Sequence, residues 1–270
     1  MTPRVLMYHG VDHVARERDP HGMFVTPANF RAQMEHLVAA GFVPVTEQAY
    51  LAARDGARLP RKAVLITFDD GYQGVGEHAA PILESLGIPS VLYVPVDLLG
   101  GRATWLGDRL RYPLLSAGEV QGLRAQGMAI GAHGSDHADL TRAGDTDLRR
   151  QTVEARAALT ELVGEEVATF AFPYGLHDRR VRAAVEAAGY RAAFSVHDPA
   201  GRFGIQRVDV NATDTLRTLR VKLHGLYPAA RRTSRHVPRT RRLVHDLLGS
   251  AYDGPGAVAG PAVPVEVVRS

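Results

Sequence analysis

An apolar run, AVLITF, ends in two adjacent carboxylates and a glycine, Asp69-Asp70-Gly71. In parallel α/β folds ligands gather at the carboxyl ends of the strands, so acids placed there face the reaction side. Neighbouring side chains diverge, and such a pair can divide two tasks, one carboxylate on a metal and the other on a water. An Asp-Gly turn without chemistry is the plain alternative. A second run, MAIGAH, continues into GSDHADL and carries His133 and His137 with Gly134 between them. Histidines spaced H-x-x-x-H can meet one metal on a helix, or on a tight loop where glycine relieves the backbone. In a chain with 12 histidines the same spacing also arises by chance. A third run, TFAF, stops at Pro173-Tyr174-Gly175. That turn reads as a stop signal or as one wall of a groove, with the Tyr174 backbone N–H aimed at an oxyanion. Finally VLMYHGV sets His9 at a strand end, as an ordinary hydrogen-bonded histidine or as a catalytic one.

These residues need elements to hold them. Strand-like runs near VLMYH, FVPVT, AVLITF, SVLYVPV, MAIGAH, TFAFPY, AAFSV and FGIQRVDV alternate with amphipathic stretches from Val5 to about Gly225. This is the pattern of an α/β fold, a parallel sheet or barrel wrapped by helices. Thr26-Pro27 caps NFRAQMEHLVAAG, and Ser116 with Glu119 forms a capping box. TDLRRQTVEARAALTELVG predicts one long amphipathic helix with Leu148, Val153, Ala155, Leu159 and Leu162 on one face. Trp105, the single tryptophan, falls in a loop, where it can offer a stacking face or plug the loop. His13, His21, His78, His177 and His197 read as solvated or locally bonded. The domain reading is 1–225 for the main body and 226–270 for a basic helical extension, with RRLVHDLLGSAY as a short helix, and a loose Gly/Pro/Ala/Val tail.

Composition narrows the chemistry. With no cysteine in 270 residues, disulfides, thiolate nucleophiles and cysteine zinc sites are excluded, and any metal must sit on His, Asp or Glu. The net charge of +3 conceals nine basic residues and no acid between Thr215 and Leu243: Arg217, Arg220, Lys222, Arg231, Arg232, Arg235, Arg239, Arg241 and Arg242. The rest of the chain is net acidic, so the basic character belongs to one segment. No run approaches the roughly 18–20 apolar residues of a membrane span, and MTPR leads straight into the first strand. The expectation is a cytoplasmic protein, with membrane association through the arginines, or an extracellular one if a leader has been trimmed.

TFDDG, then H-x-x-x-H, then F-P-Y-G, in this order on an alternating chain, resembles the polysaccharide deacetylases of the NodB-homology group, carbohydrate esterase family four. The likeness spans about Arg4 to Gly225. The opening VLMYHGV is similar to the permuted subgroup that includes poly-N-acetylglucosamine deacetylases of exopolysaccharide systems. The resemblance implies a distorted (β/α)7-type barrel and a hydrolase that removes N-acetyl groups from a glycan or glycan precursor. It implies Asp70, His133 and His137 as ligands of one divalent ion, zinc first, with cobalt, nickel or iron as substitutes. It also implies Asp69 as general base, His9 as general acid and the Tyr174 amide as oxyanion donor, with Pro173, Tyr174, Trp105 and Arg207 on the substrate side.

The sequence departs from the family pattern in places. Gly134 stands where many members have Ser or Thr, so a loop hydrogen bond is lost or comes from Ser135. Ala171 stands where an arginine often orients the base. Arg207 in FGIQRVDV is the candidate replacement, or a barrel-end salt bridge. Two rival readings are an inactive carbohydrate-binding or scaffold protein on the same fold, and nucleic-acid binding through the basic run, which no recognised motif supports.

Overall fold

The computed structural model describes residues 3–106, 110–196, 198–224 and 227. The 226–270 extension, its short helix and six of the nine clustered cations therefore lie outside the described residues, save Tyr227.

The strands are β1 (Arg4–Tyr8), β2 (Gly10–Val11), β3 (Phe24–Val25), β4 (Val43–Pro44), β5 (Ala63–Phe68), β6 (Ser90–Val94), β7 (Ala129–Ala132), β8 (Thr169–Ala171), β9 (Ala192–Ser195), β10 (Phe203–Gln206) and β11 (Val208–Asp209). The helices are α1 (Pro27–Ala39), α2 (Glu47–Arg54), α3 (Ala80–Ser85), α4 (Ala117–Ala125), α5 (Asp145–Arg149), α6 (Ala155–Val163), α7 (Arg179–Ala187) and α8 (Leu216–Lys222). The main sheet runs β10-β9-β8-β7-β6-β5-β1-β11, with β4 paired to β5 and every pairing parallel. The two ends of that order, β10 and β11, are separated in sequence by Arg207 alone. One bent strand thus pairs with β9 by its first half and with β1 by its second, and the sheet is nearly closed into a barrel, as the family resemblance implied.

Strand parity sorts the side chains. On β5, Leu65 packs in the interior with Val5, Val91, Tyr93, Ala171, Phe194 and Ile205. Val64, Ile66 and Phe68 face the helix layer with Phe30, Met34 and Leu37 of α1. Because the side-chain period of a strand is two, the inward parity of Val5 continues to Met7 and His9. That of Leu65 continues to Thr67 and Asp69, and that of Ile205 to Arg207, Asp209 and Asn211. At the strand starts, Tyr50 and Leu51 of α2 join the interior cluster.

Helix starts follow the sequence signals. Thr26 accepts from Asn29 N–H with Pro27 in the first turn, and Ser116 with Glu119 forms the full capping box. The long helix expected over residues 146–164 is instead interrupted by a π-turn at Arg150–Glu154. The wider turn puts Gln151 and Thr152 in the buried face, while Val153 and Leu162 are only partly covered. In the basic cluster, Lys222 is not surface charge: it is fully buried, 2.6 Å from the Asp214 carboxylate. No helix of the described residues is long and apolar enough to cross a membrane.

Candidate active site

The site lies at the carboxyl ends of β1, β5, β7 and β11. Asp69 N–H donates to the Tyr8 carbonyl at 3.0 Å, which binds the end of β5 to the residue before His9. Asp69 keeps strand parity and enters the barrel, whereas Asp70 turns out of register with φ +73°. A left-handed non-glycine residue is uncommon and costs of order 1–3 kcal/mol. His137 (φ +60°) and Tyr174 (φ +58°) share that conformation, so three such residues meet at one cavity. Its walls include His9, Asp69, Asp70, His133, His137 and Tyr174.

Asp70, His133 and His137 are all buried and offer ligand atoms within 4.8 Å of one another. The Nε2 atoms of His133 and His137 stand 3.2 and 3.1 Å from Asp70 Oδ1. His133 Nδ1 faces the Ala171 carbonyl at 2.7 Å. A carbonyl only accepts, so Nδ1 carries the hydrogen and Nε2 presents its lone pair, the arrangement metal-binding histidines use. Asp70 Oδ2 and His137 Nδ1 are buried with no hydrogen-bond partner. An unpaired buried acceptor on an ionised carboxylate is costly unless something cationic meets it. Two nitrogens and one oxygen suit a borderline divalent ion such as zinc with a position left open, so the residues fit a metal.

Burial would raise both aspartates. The histidine partners outweigh it at Asp70 and hold its carboxyl well below the usual range. At Asp69 the Arg207 charge does the same more moderately. Burial lowers His137, while at His133 it is outweighed by the charge of Asp69 and the bond to Asp70, which raise it.

Arg207 grips Asp69 with two parallel bonds, 2.7 Å to Oδ1 and 2.6 Å to Oδ2, and reaches Thr67 Oγ1 at 3.3 Å. It is a buried bidentate clamp behind the carboxylate, not a group on the cavity wall, where a substrate-side role would need it. Pro173 is likewise buried and off that wall. Trp105 lines the cavity, but one indole face lies on the His137 ring, with centroids 4.1 Å apart and planes 15° from parallel, and its N–H donates to Tyr72 Oη at 3.2 Å. That face is not open to a sugar.

The histidine loop is held from the π-turn. Gly134 (φ +75°) has no room for a Cβ, which would lie 2.7 Å from Gln151 Oε1. That oxygen accepts Ser135 N–H at 2.7 Å, and Ser135 Oγ donates to the Arg150 carbonyl at 3.2 Å. Ser135 therefore provides a loop bond where Gly134 has no hydroxyl to give.

Sequence reasoning missed His21, set aside as solvated or locally bonded, and also Met23, Asp209 and Asn211, all of which line the cavity. Asp209 and Asn211 were within reach, since Arg207, Asp209 and Asn211 alternate on one strand face. His21 was not: its loop is shaped by Asp19, which accepts from Met23 and Phe24 N–H at 2.9 Å each, and by Ala212 N–H on the Gly22 carbonyl at 2.8 Å.

The chain is similar in sequence to YxkH of Bacillus subtilis (strain 168), 22% identical over 213 residues, 77% of this chain and 71% of that protein. It is also similar to the poly-beta-1,6-N-acetyl-D-glucosamine N-deacetylase of Escherichia coli (strain K12), 38% identical over 110 residues, 39% of this chain and 16% of that protein. In fold it is similar to the Streptococcus pyogenes deacetylase PplD, solved in complex with acetate, with a TM-score of 0.73, 19% identity and coverage of 83% of this chain and 99% of that one. The polysaccharide deacetylase family matches residues 56–193, a stretch that contains Asp69, Asp70, His133, His137 and the Pro173-Tyr174-Gly175 turn. The carboxylate pair, the histidine loop and the matching stretch agree, and the chain belongs to the polysaccharide deacetylase family.

Proposed function

We propose that the protein is a metal-dependent N-deacetylase that hydrolyses the acetamide of N-acetylhexosamine units, of the N-acetylglucosamine type, in a polysaccharide or glycan precursor. The observation that carries this is the burial of Asp70, His133 and His137 around one point, beside a carboxylate that Arg207 clamps. The Escherichia coli relative acts by its name on an N-acetylglucosamine polymer, and the acetate bound to PplD is the small product such a reaction releases.

Asp70, His133 and His137 would hold the ion, zinc first, which when bound makes an amide carbonyl more electrophilic and water more acidic. Asp69, kept ionised by Arg207, accepts a proton from the attacking water. The Tyr174 amide is the candidate donor to the developing oxyanion, at the left-handed turn that ends β8. His9 gives a proton to the departing nitrogen, since an amide anion is too poor a leaving group. Acetate and a free amine result. His9 fits the acid's place because β1 lies beside β5, its side chain lines the same cavity, and its Nδ1 is buried without a partner.

The test is acetate release from β-1,6- and β-1,4-linked N-acetylglucosamine oligomers by protein stripped of metal and reloaded with zinc, cobalt or nickel, with bound metal measured in parallel. Turnover that needs about one ion per chain is expected. Glycan binding with no acetate under any metal would favour the inactive binding protein.

A further inference from the structure

Arg207 raises a question its clamp on Asp69 does not answer. The residue is 1% exposed, and its Nε–H is buried with no hydrogen-bond partner. A guanidinium held away from water with one donor unmet needs another source of negative potential. The face of Tyr93 supplies it: Arg207 Cζ lies 5.7 Å from the ring centroid, within the reach of a cation–π contact.

The barrel is built to keep the ring there. Tyr93 stands inward on β6, and its register partner on β7 is Gly131. A Cβ on residue 131 would fall 2.3 Å from Tyr93 Cε1 and 2.4 Å from Cδ1, so the ring occupies the space that a side chain on the adjacent strand would take. Phe194 packs against it with centroids 5.8 Å apart. At its far end the hydroxyl lies 2.9 Å from Thr169 Oγ1. Thr169 gives its single hydrogen to Glu47, so Tyr93 is the donor in this pair. A chain of contacts runs from α2 through Thr169 and Tyr93 to Arg207 and ends on Asp69.

We propose that Tyr93 is a positioning residue for the Asp69 base, acting through Arg207, whose guanidinium rests on the ring while both its amino groups hold the carboxylate. The inference rests on the reading of Asp69 as base. The ring, not the hydroxyl, is the effective part, because only the ring meets the guanidinium. With the ring gone, the cation can settle deeper in the barrel and draw the carboxylate off its line to the water.

The experiment compares Tyr93→Phe, which keeps the face, with Tyr93→Leu, which keeps apolar bulk without it. Zinc-loaded proteins are assayed for acetate release from a β-1,6-linked N-acetylglucosamine pentamer, with zinc content and melting temperature measured alongside. Expected for Tyr93→Leu is a kcat at least tenfold lower, with KM and bound zinc within twofold of wild type, while Tyr93→Phe keeps kcat within threefold. In an Arg207→Ala background the leucine change should cost less than twofold more, because the group it acts through is absent. If Tyr93→Leu melts below the assay temperature, Tyr93→Met fills the slot and takes its place. A kcat for the leucine or methionine variant within twofold of wild type while Asp69→Asn is inactive overturns this inference alone. Equal losses in the Phe and Leu variants, or additive losses with Arg207→Ala, also overturn it. Full turnover by Asp69→Asn would instead remove the base assignment, and this inference with it.

Discussion

Asp69 and Asp70 have identical side chains, and the backbone between them separates their tasks. Extended parity sends Asp69 to Arg207, while the left-handed turn at Asp70 sends the next carboxylate to the two histidines. Substitutions should separate them too. Asp69→Asn is expected to retain bound zinc and lose about 10²–10⁴-fold in kcat, the usual worth of a general base, whereas His133→Ala should lose the metal itself. His9→Ala should keep zinc and lose turnover by a similar factor, and wild-type rates there would reject His9 as the acid. Trp105 offers a readout independent of turnover. As the single tryptophan, stacked 4.1 Å from the His137 ring, it should report occupancy of the site. Cobalt added to metal-free protein should quench indole emission saturably in wild type and leave His133→Ala unchanged.

At the scale of elements, the strand ends are what the sequence states most plainly. AVLITF is β5 residue for residue, and the period-two alternation that hides Leu65 also aims Asp69 inward. The same alternation turns Arg207 into the barrel interior behind Asp69 and carries Asp209 and Asn211 to the cavity, so much of the site is written in local patterns. What is not local is not legible. A π-turn adds one residue to a helical turn without changing composition, and here it places Arg150 and Gln151 against the histidine loop. Arg150 pairs there with Asp97 at 2.7 Å, with Asp147 at 2.8 Å and with Asp136. Gln151→Ala should therefore act at a distance from the metal. It strips Ser135 N–H of its acceptor and Asp136 of a 2.5 Å donor, costing on the order of 1–3 kcal/mol of stability. A melting temperature lowered by several degrees and weaker zinc binding by equilibrium dialysis are expected. Gly134→Ala should give the same signature from the other side of the contact, through its φ of +75° and the crowding at Gln151 Oε1.

Across the whole molecule, the barrel has a reactive end and a polar plug at the opposite one, and the two respond to pH with opposite sign. Asp69 and Asp70 have carboxyls held below their ordinary value. Their contribution is present above the unfolded pKa of about 4 and is lost as pH falls through the folded values. Glu47, at the first turn of α2, is the reverse. Burial pushes it up from 4.5 to about 7, against the bond from Thr169, which lowers it. Between those two values the folded chain keeps a proton that the unfolded chain has released, so stability falls as pH rises through that window and levels off above it. Glu47 retains partial solvent contact, which limits the effect to about 1–3 kcal/mol. Glu47→Gln carries no charge to desolvate and keeps an oxygen for Thr169. Its urea midpoint should change less between pH 5 and pH 8 than that of wild type, with the two proteins diverging most at the alkaline end. Parallel midpoints across that range would mean that Glu47 is already ionised in the folded state at pH 5, and that the polar chain beneath Tyr93 ends on a charge.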